Sequence, residues 1–141
     1  MSGRYVYGKR VDYPHMIQDD KRVWESFMNE YPDRFESVDY DFRVGTGAEI
    51  PDGTESNYSR MITMLSQKRI DAIGWVGDHP TIIEVKGRAA LGTIGQIIGY
   101  KMLFEQAFKK IEKPEVLIIC ENVSRDDLAV ITNQNIPLVI I

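Results

Sequence analysis

Three charged residues stand inside otherwise apolar runs: Asp71 in "RIDAIGWV", and Glu84 and Lys86 in "TIIEVKG". Charged side chains rarely enter core strands unless they are paired or hold a metal, because lost hydration is expensive. If the runs are strands joined through Gly77 to Pro80, Val76 lies opposite Thr81, Asp71 opposite Lys86 and Ile73 opposite Glu84. Side chains alternate faces along a strand, so Asp71, Glu84 and Lys86 then share one face. Directly opposed residues lie about 5 Å apart and diagonal ones about 7 to 8 Å, which brings the two carboxylates over one point. Carboxylates that close repel, and either a proton or a cation must neutralise them. A hard octahedral ion, Mg²⁺ or Mn²⁺, takes such oxygens and keeps waters for a substrate phosphate and a nucleophile. With a lysine alongside, the expected chemistry is metal-dependent phosphodiester hydrolysis.

The alternative is a half-exposed hairpin with a surface Asp71–Lys86 ion pair and Glu84 in solvent, an arrangement of little energetic value. Against it, Ile70, Ala72, Ile83 and Val85 fill one face while Ile73, Trp75 and Ile82 make the other apolar as well.

The elements that must position these groups follow from periodicity. Val23, Trp24, Phe27, Met28 and Tyr31 recur at helical spacing from Ile17 to Tyr31, with Pro32 as the stop. "ESVDYDFRV" alternates as a half-exposed strand ending at Gly45, and "GTGAEIPDGTESN" is a loop predicted to border the cleft. Tyr58, Met61, Ile62 and Leu65 mark a short helix that leads into strands over Lys68–Val76 and Thr81–Lys86. "RAALGTIGQIIGYKMLFEQAFKKIEK" reads as one long helix, although each of its three glycines costs ~1 kcal/mol relative to alanine. "PEVLIICENV" has the continuous apolar run of a strand covered on both faces. Ser124, with Asp127 three positions on, opens the helix "SRDDLAVITNQN", and "IPLVII" returns as a parallel strand by a right-handed crossover. The result is one α/β domain over residues 1–141: a mixed sheet with helices on both faces, core order αβββαβ, and a C-terminal αβ extension.

Asp71, a gap of a dozen residues, and Glu84-Val85-Lys86 resemble the active-site signature of the PD-(D/E)xK nuclease superfamily, which includes restriction endonucleases, Holliday-junction resolvases and RecB-like nucleases. The αβββαβ core is similar to the family's and covers roughly residues 17–123; Ile70 stands where the family's proline usually precedes the aspartate. The resemblance implies a restriction-endonuclease-like fold and a Mg²⁺- or Mn²⁺-dependent nuclease acting on DNA. It makes Asp71, Glu84 and the Val85 carbonyl metal ligands and Lys86 the catalytic lysine. Gln96 and Tyr100, four apart and so on one helix face, are similar to the Q-x-x-x-Y element by which RecB-like enzymes contact substrate. The superfamily often adds an acid from the first helix; Asp20 falls within the apolar stripe and Glu25 on its flank. Arg69, Arg88 and Lys101 surround the motif as candidate substrate contacts, and a homodimer would suit cutting two strands. A nucleic-acid-binding or assembly module of the same fold, without catalysis, is the competing class.

Composition excludes less. The net charge of −4 does not advertise a nucleic-acid binder, although local fields outweigh the total. Cys120, the single cysteine, allows no internal disulfide and reads as a buried small hydrophobe. His15 and His79 are too few and too separated for a zinc site. The start "MSGRYVYGKRVDYPH" has no signal-like apolar segment and no later run would span a membrane, so the chain reads as intracellular.

Overall fold

Two apolar stripes and one nearly continuous set of buried strands dictate three layers. The computed structural model describes residues 3–141. Helix α1 (Gln18–Glu30) buries Val23, Trp24, Phe27 and Met28 against one face of a six-stranded sheet, where they meet Val38, Tyr40, Ala72, Ile83, Val85 and Ile119. Helix α3 (Leu91–Ala107) buries Ile94, Ile97, Tyr100 and Phe104 on the other, and α4 (Arg125–Asn133) adds Ile131 there. The sheet runs in chain order: β1 (Tyr5–Val6), β2 (Ser37–Val44), β3 (Lys68–Val76), β4 (His79–Ala89), β5 (Glu115–Val123) and β6 (Leu138–Ile140). The first four strands pair antiparallel and the last three parallel, as βαβ crossovers through α3 and α4 require. The expected mixed α/β sheet with helices on both faces is what forms.

Four details differ from the sequence reading. β1 is two residues long, too short to carry a period, and pairs Tyr5 with Val38. The β3–β4 turn spans two residues, not four: Val76 pairs with His79 and Trp75 with Pro80. Gly77, at φ 57, supplies the positive φ such a turn needs at its first central position. Pro80 extends the strand, and pairing with β5 starts one residue later, at Thr81. The register therefore slides by two, placing Ala72 opposite Ile83 instead of Val85; a slip of two leaves every side chain on its expected face. β4 runs on to Ala89 and only Ala90 separates it from α3, so the helix is shorter at both ends than its periodicity indicates. Lastly, Ile70 packs on the α3 side, away from Ala72, Ile83 and Val85.

Helix α2 (Ser56–Ser66) forms where expected but buries no residue, and Tyr58, Met61, Met64 and Leu65 stay exposed. Among the described residues no helix is long and apolar enough to cross a membrane. Cys120 is buried as anticipated.

One polar contact inside the core ties β2 to β3. The Asp39 carboxylate is 3% exposed and accepts the Trp75 indole N–H at 3.0 Å and the Arg4 N–H at 3.1 Å. Trp75→Phe keeps most of the apolar volume but strands this buried acceptor, so we expect a loss of about 2–3 kcal/mol in urea unfolding; a loss below about 0.5 kcal/mol would show the indole donor to be dispensable.

Candidate metal and phosphodiester site

Asp71 lies where two strands turn over together. In β2, Val38 and Tyr40 pack toward α1, whereas Phe42 and Val44 pack toward α3. Residues two apart ordinarily share a face, so the reversal falls at Asp41, which holds a left-handed φ of 50. β3 reverses between Ala72 and Ile70. The register joins Tyr40 to Ala72 and Phe42 to Ile70 and skips the Asp41/Asp71 step between them. A non-glycine residue in this conformation costs about 1 kcal/mol or more and persists only where its surroundings hold it. Here the Asp41 carboxylate is clasped by Arg69 Nε at 2.8 Å and His15 Nε2 at 3.2 Å, with Arg43 at 3.9 Å.

The turnover frees Asp71 from the ladder and aims it at β4. The β3–β4 pairing ends at Ala72 and Ile83, while β4 stays paired to β5 as far as Ala89. In the fork that opens, carboxylates replace the missing rungs. Asp71 Oδ2 accepts the Val85 N–H at 3.0 Å, and Glu84 Oε1 accepts the Asp71 N–H at 3.4 Å. A strand residue's N–H and C=O point to the same side, so the Val85 carbonyl is turned toward the fork as well. Lys86 Nζ stands 3.6 Å from Glu84 Oε2, an ion pair that takes the place of the expected Asp71–Lys86 opposition.

Glu84 is 1% exposed. Burial, and next the charge of Asp71, push its carboxyl up to about 8, with Lys86 opposing. Burial also raises Asp71 above the ordinary aspartate value; the Val85 N–H and Lys86 pull it down and Asp20 adds to the rise. Asp20, from the first turns of α1, accepts the Gly87 N–H at 3.3 Å; burial raises its carboxyl and Lys86 lowers it. From the opposite layer comes Tyr100, pushed up to about 12 by burial and then by Glu84 and Asp71, with Gln96 Nε2 donating to its hydroxyl at 3.5 Å.

Asp71, Glu84, Lys86, Asp20 and Tyr100 are thus brought together from four elements, with Gln96 behind Tyr100. Glu25 is elsewhere, accepting the Tyr13 hydroxyl at 2.9 Å. Arg69 is committed to Asp41, Arg88 is exposed beyond the fork, and Lys101 opens onto a cavity beside Ile98, Val116 and Gln134. Sequence reasoning missed Asp41 and His15, since nothing in "DYDFRV" marks a reversal of faces.

The donors fit a hard divalent cation: two carboxylates and a carbonyl, all oxygen, with a closely set acidic pair whose repulsion a cation would relieve. Among the described residues no three His, Cys, Asp or Glu side chains gather as a ready-made metal cluster, so water or substrate oxygens would have to complete the shell.

Comparison with known proteins gives the following. No family model matches the sequence and no curated protein matches it. Among solved structures it is similar to a complex of EndoMS with double-stranded DNA, at 13% identity and a TM-score of 0.47 over 92% of this chain and 48% of that one. It is also similar to a repair endonuclease from Pyrococcus abyssi, at 13% identity and 0.49 over 94% and 49%. A third, a protein of unknown function, aligns at 12% identity and 0.46 over 86% and 55%. The chain spans about half the length of these structures.

The acidic pair makes stability depend on pH with a definite sign. Folded Glu84 keeps its proton to about pH 8, while the unfolded chain releases it near 4.5. Between those values the folded state binds more protons, so the stabilisation present below pH 4.5 is lost as pH rises toward 8. Thermal melts of the metal-free protein should show a Tm declining from pH 5 to pH 8, with a flatter profile for Glu84→Gln; identical slopes for the two proteins would contradict the assignment.

Proposed function

We propose that the chain is a Mg²⁺- or Mn²⁺-dependent nuclease that hydrolyses phosphodiester bonds of DNA. The observation that carries this reading is the pair of carboxylates, Asp71 half-buried and Glu84 buried, each accepting the other strand's N–H at the end of a ladder, with Lys86 Nζ 3.6 Å from Glu84. Asp71, Glu84 and the Val85 carbonyl would hold the cation, with Asp20 as a further acid at the edge. Bound there, the ion would supply Lewis-acid stabilisation of charge on the phosphoryl group.

The chain's own residues do the rest. The two backbone N–H donors fix one oxygen of each carboxylate, so Asp71 Oδ1 and Glu84 Oε2 are the atoms left for other partners. Lys86 sets an ammonium against Glu84 Oε2, placed to orient an attacking water and to stabilise the negative charge that develops on the phosphoryl oxygens. Tyr100 and Gln96 face the pair from α3 and supply hydroxyl and amide donors for a substrate strand. Local charge suits a polyanion despite the net −4: Arg43, Lys68, Arg69, Lys86 and Arg88 collect at the end of the sheet where the fork lies.

The test is cleavage of labelled oligonucleotides, single-stranded, duplex and branched, in Mn²⁺. Asp71→Asn and Lys86→Ala should each lower kcat at least ~10²-fold, in the range seen for loss of one group that stabilises transition-state charge. Asp20→Asn should act more weakly. Activity unchanged in the first two variants would remove those residues from the mechanism, and wild-type binding without any cleavage would make the domain a nucleic-acid-binding module instead.

A further inference from the structure

Beside the acidic pair the chain leaves a trough that its own packing does not fill. Tyr100 and Gln96 line a cavity of about 260 Å³ together with Lys68, Gly95, Gly99 and Leu103. Lys68 and Leu103 also line a second cavity of about 350 Å³, closed by the loop 45–48 and Ser66. The two cavities therefore adjoin at Lys68 and Leu103.

Glycine makes the near wall. A Cβ built at Gly95 or Gly99 meets no heavy atom within 4 Å, and neither residue has a positive φ. They sit four apart on α3, so they open the same face. Gly74 and Gly47 differ in having an internal reason: at Gly74 a Cβ would come within 2.6 Å of the Phe35 ring, and at Gly47 within 2.8 Å of Ser66 Oγ. Neither packing nor backbone strain calls for glycine at 95 and 99, where alanine would make the better helix. Gly92 meets open space too, but only Gly95 and Gly99 line the cavity beside Tyr100.

The polar groups along the trough define the kind of occupant that suits it. Lys68 is exposed at its middle and has no carboxylate partner among the described residues. The Tyr100 ring is 8% exposed, and its hydroxyl, which accepts from Gln96, donates to no acceptor among the described residues. One cation, flanked by a hydroxyl and an amide beside a wall without side chains, suits a thin, flexible polyanion whose backbone must come close. We propose that this trough seats the sugar–phosphate backbone of the substrate strand to one side of the scissile bond, with a phosphate at Lys68 and the chain lying against Gly95 and Gly99. This rests on the nuclease reading above. From Gln96 to Leu103 the helix rises roughly 10 Å, room for about three nucleotides at the ~3.4 Å rise of one strand.

The experiment compares Gly95→Ala/Gly99→Ala, Lys68→Ala and, as a control, Gly92→Ala, whose Cβ also meets open space but which lines neither cavity. The readouts are Tm and the KM and kcat of single-strand oligonucleotide cleavage in Mn²⁺ across a salt series. The double glycine variant should raise Tm yet raise KM at least tenfold with kcat within threefold. Lys68→Ala should raise KM comparably and flatten the salt dependence by about one phosphate contact, a log–log slope change of ~0.7. Gly92→Ala should raise Tm alone. A double variant with higher Tm and unchanged KM overturns the trough while leaving the nuclease reading intact, and a lowered Tm overturns it by showing that packing requires the glycines. Wild-type protein that neither cleaves nor binds the oligonucleotide removes the nuclease reading and this inference with it.

Discussion

The structure depends on a substitution made at one point of the sheet, where carboxylate oxygens take the place of main-chain carbonyls as acceptors. A ladder that ends inside a protein leaves N–H groups that must find partners, since a buried unpaired donor costs about as much as a lost hydrogen bond. Asp71 and Glu84 meet that need for each other's strand, at 3.0 and 3.4 Å. The same contacts hold two acids in a place where burial raises both their pKa values. Satisfying the backbone and crowding two acids together are thus one arrangement, with the lysine two residues along set 3.6 Å from Glu84.

The arrangement needs β3 to present Asp71 sideways instead of up or down. That is the consequence of the joint reversal at Asp41 and Asp71, and it explains why a strained residue sits in mid-strand rather than in a turn. Arg69 and Arg43, directly opposed across β2 and β3, would repel each other. Asp41 lies between them, so its carboxylate relieves like-charge repulsion while fixing its own unfavourable φ. The cations read in the sequence as substrate contacts therefore have, in Arg69, a structural duty.

Charge is divided along the sheet as well. The fork end holds the acidic pair among lysines and arginines. The other end carries Glu36, which accepts the Gly77 N–H, and His79 held between Glu112 at 3.2 Å and Glu115 at 3.5 Å.

Periodicity and residue type alone determined the layers, the order of the elements from α1 onward and the common face of Glu84 and Lys86, because an apolar period of two or 3.6 has one burial that satisfies it; Asp71, read onto that same face, is turned sideways by the reversal between Ile70 and Ala72. Even the mistaken four-residue turn left the faces of β4 intact, since the register error was two residues and side chains alternate with that period. Three-dimensional contact decided the rest. The ion pair of Lys86 with Glu84, the removal of Glu25 to Tyr13, the reversal at Asp41 and the empty wall at Gly95 and Gly99 depend on groups far apart in the chain. A sequence states which atoms are available at each position. Only packing states which unpaired donor, repelling charge or vacant volume each of them must answer.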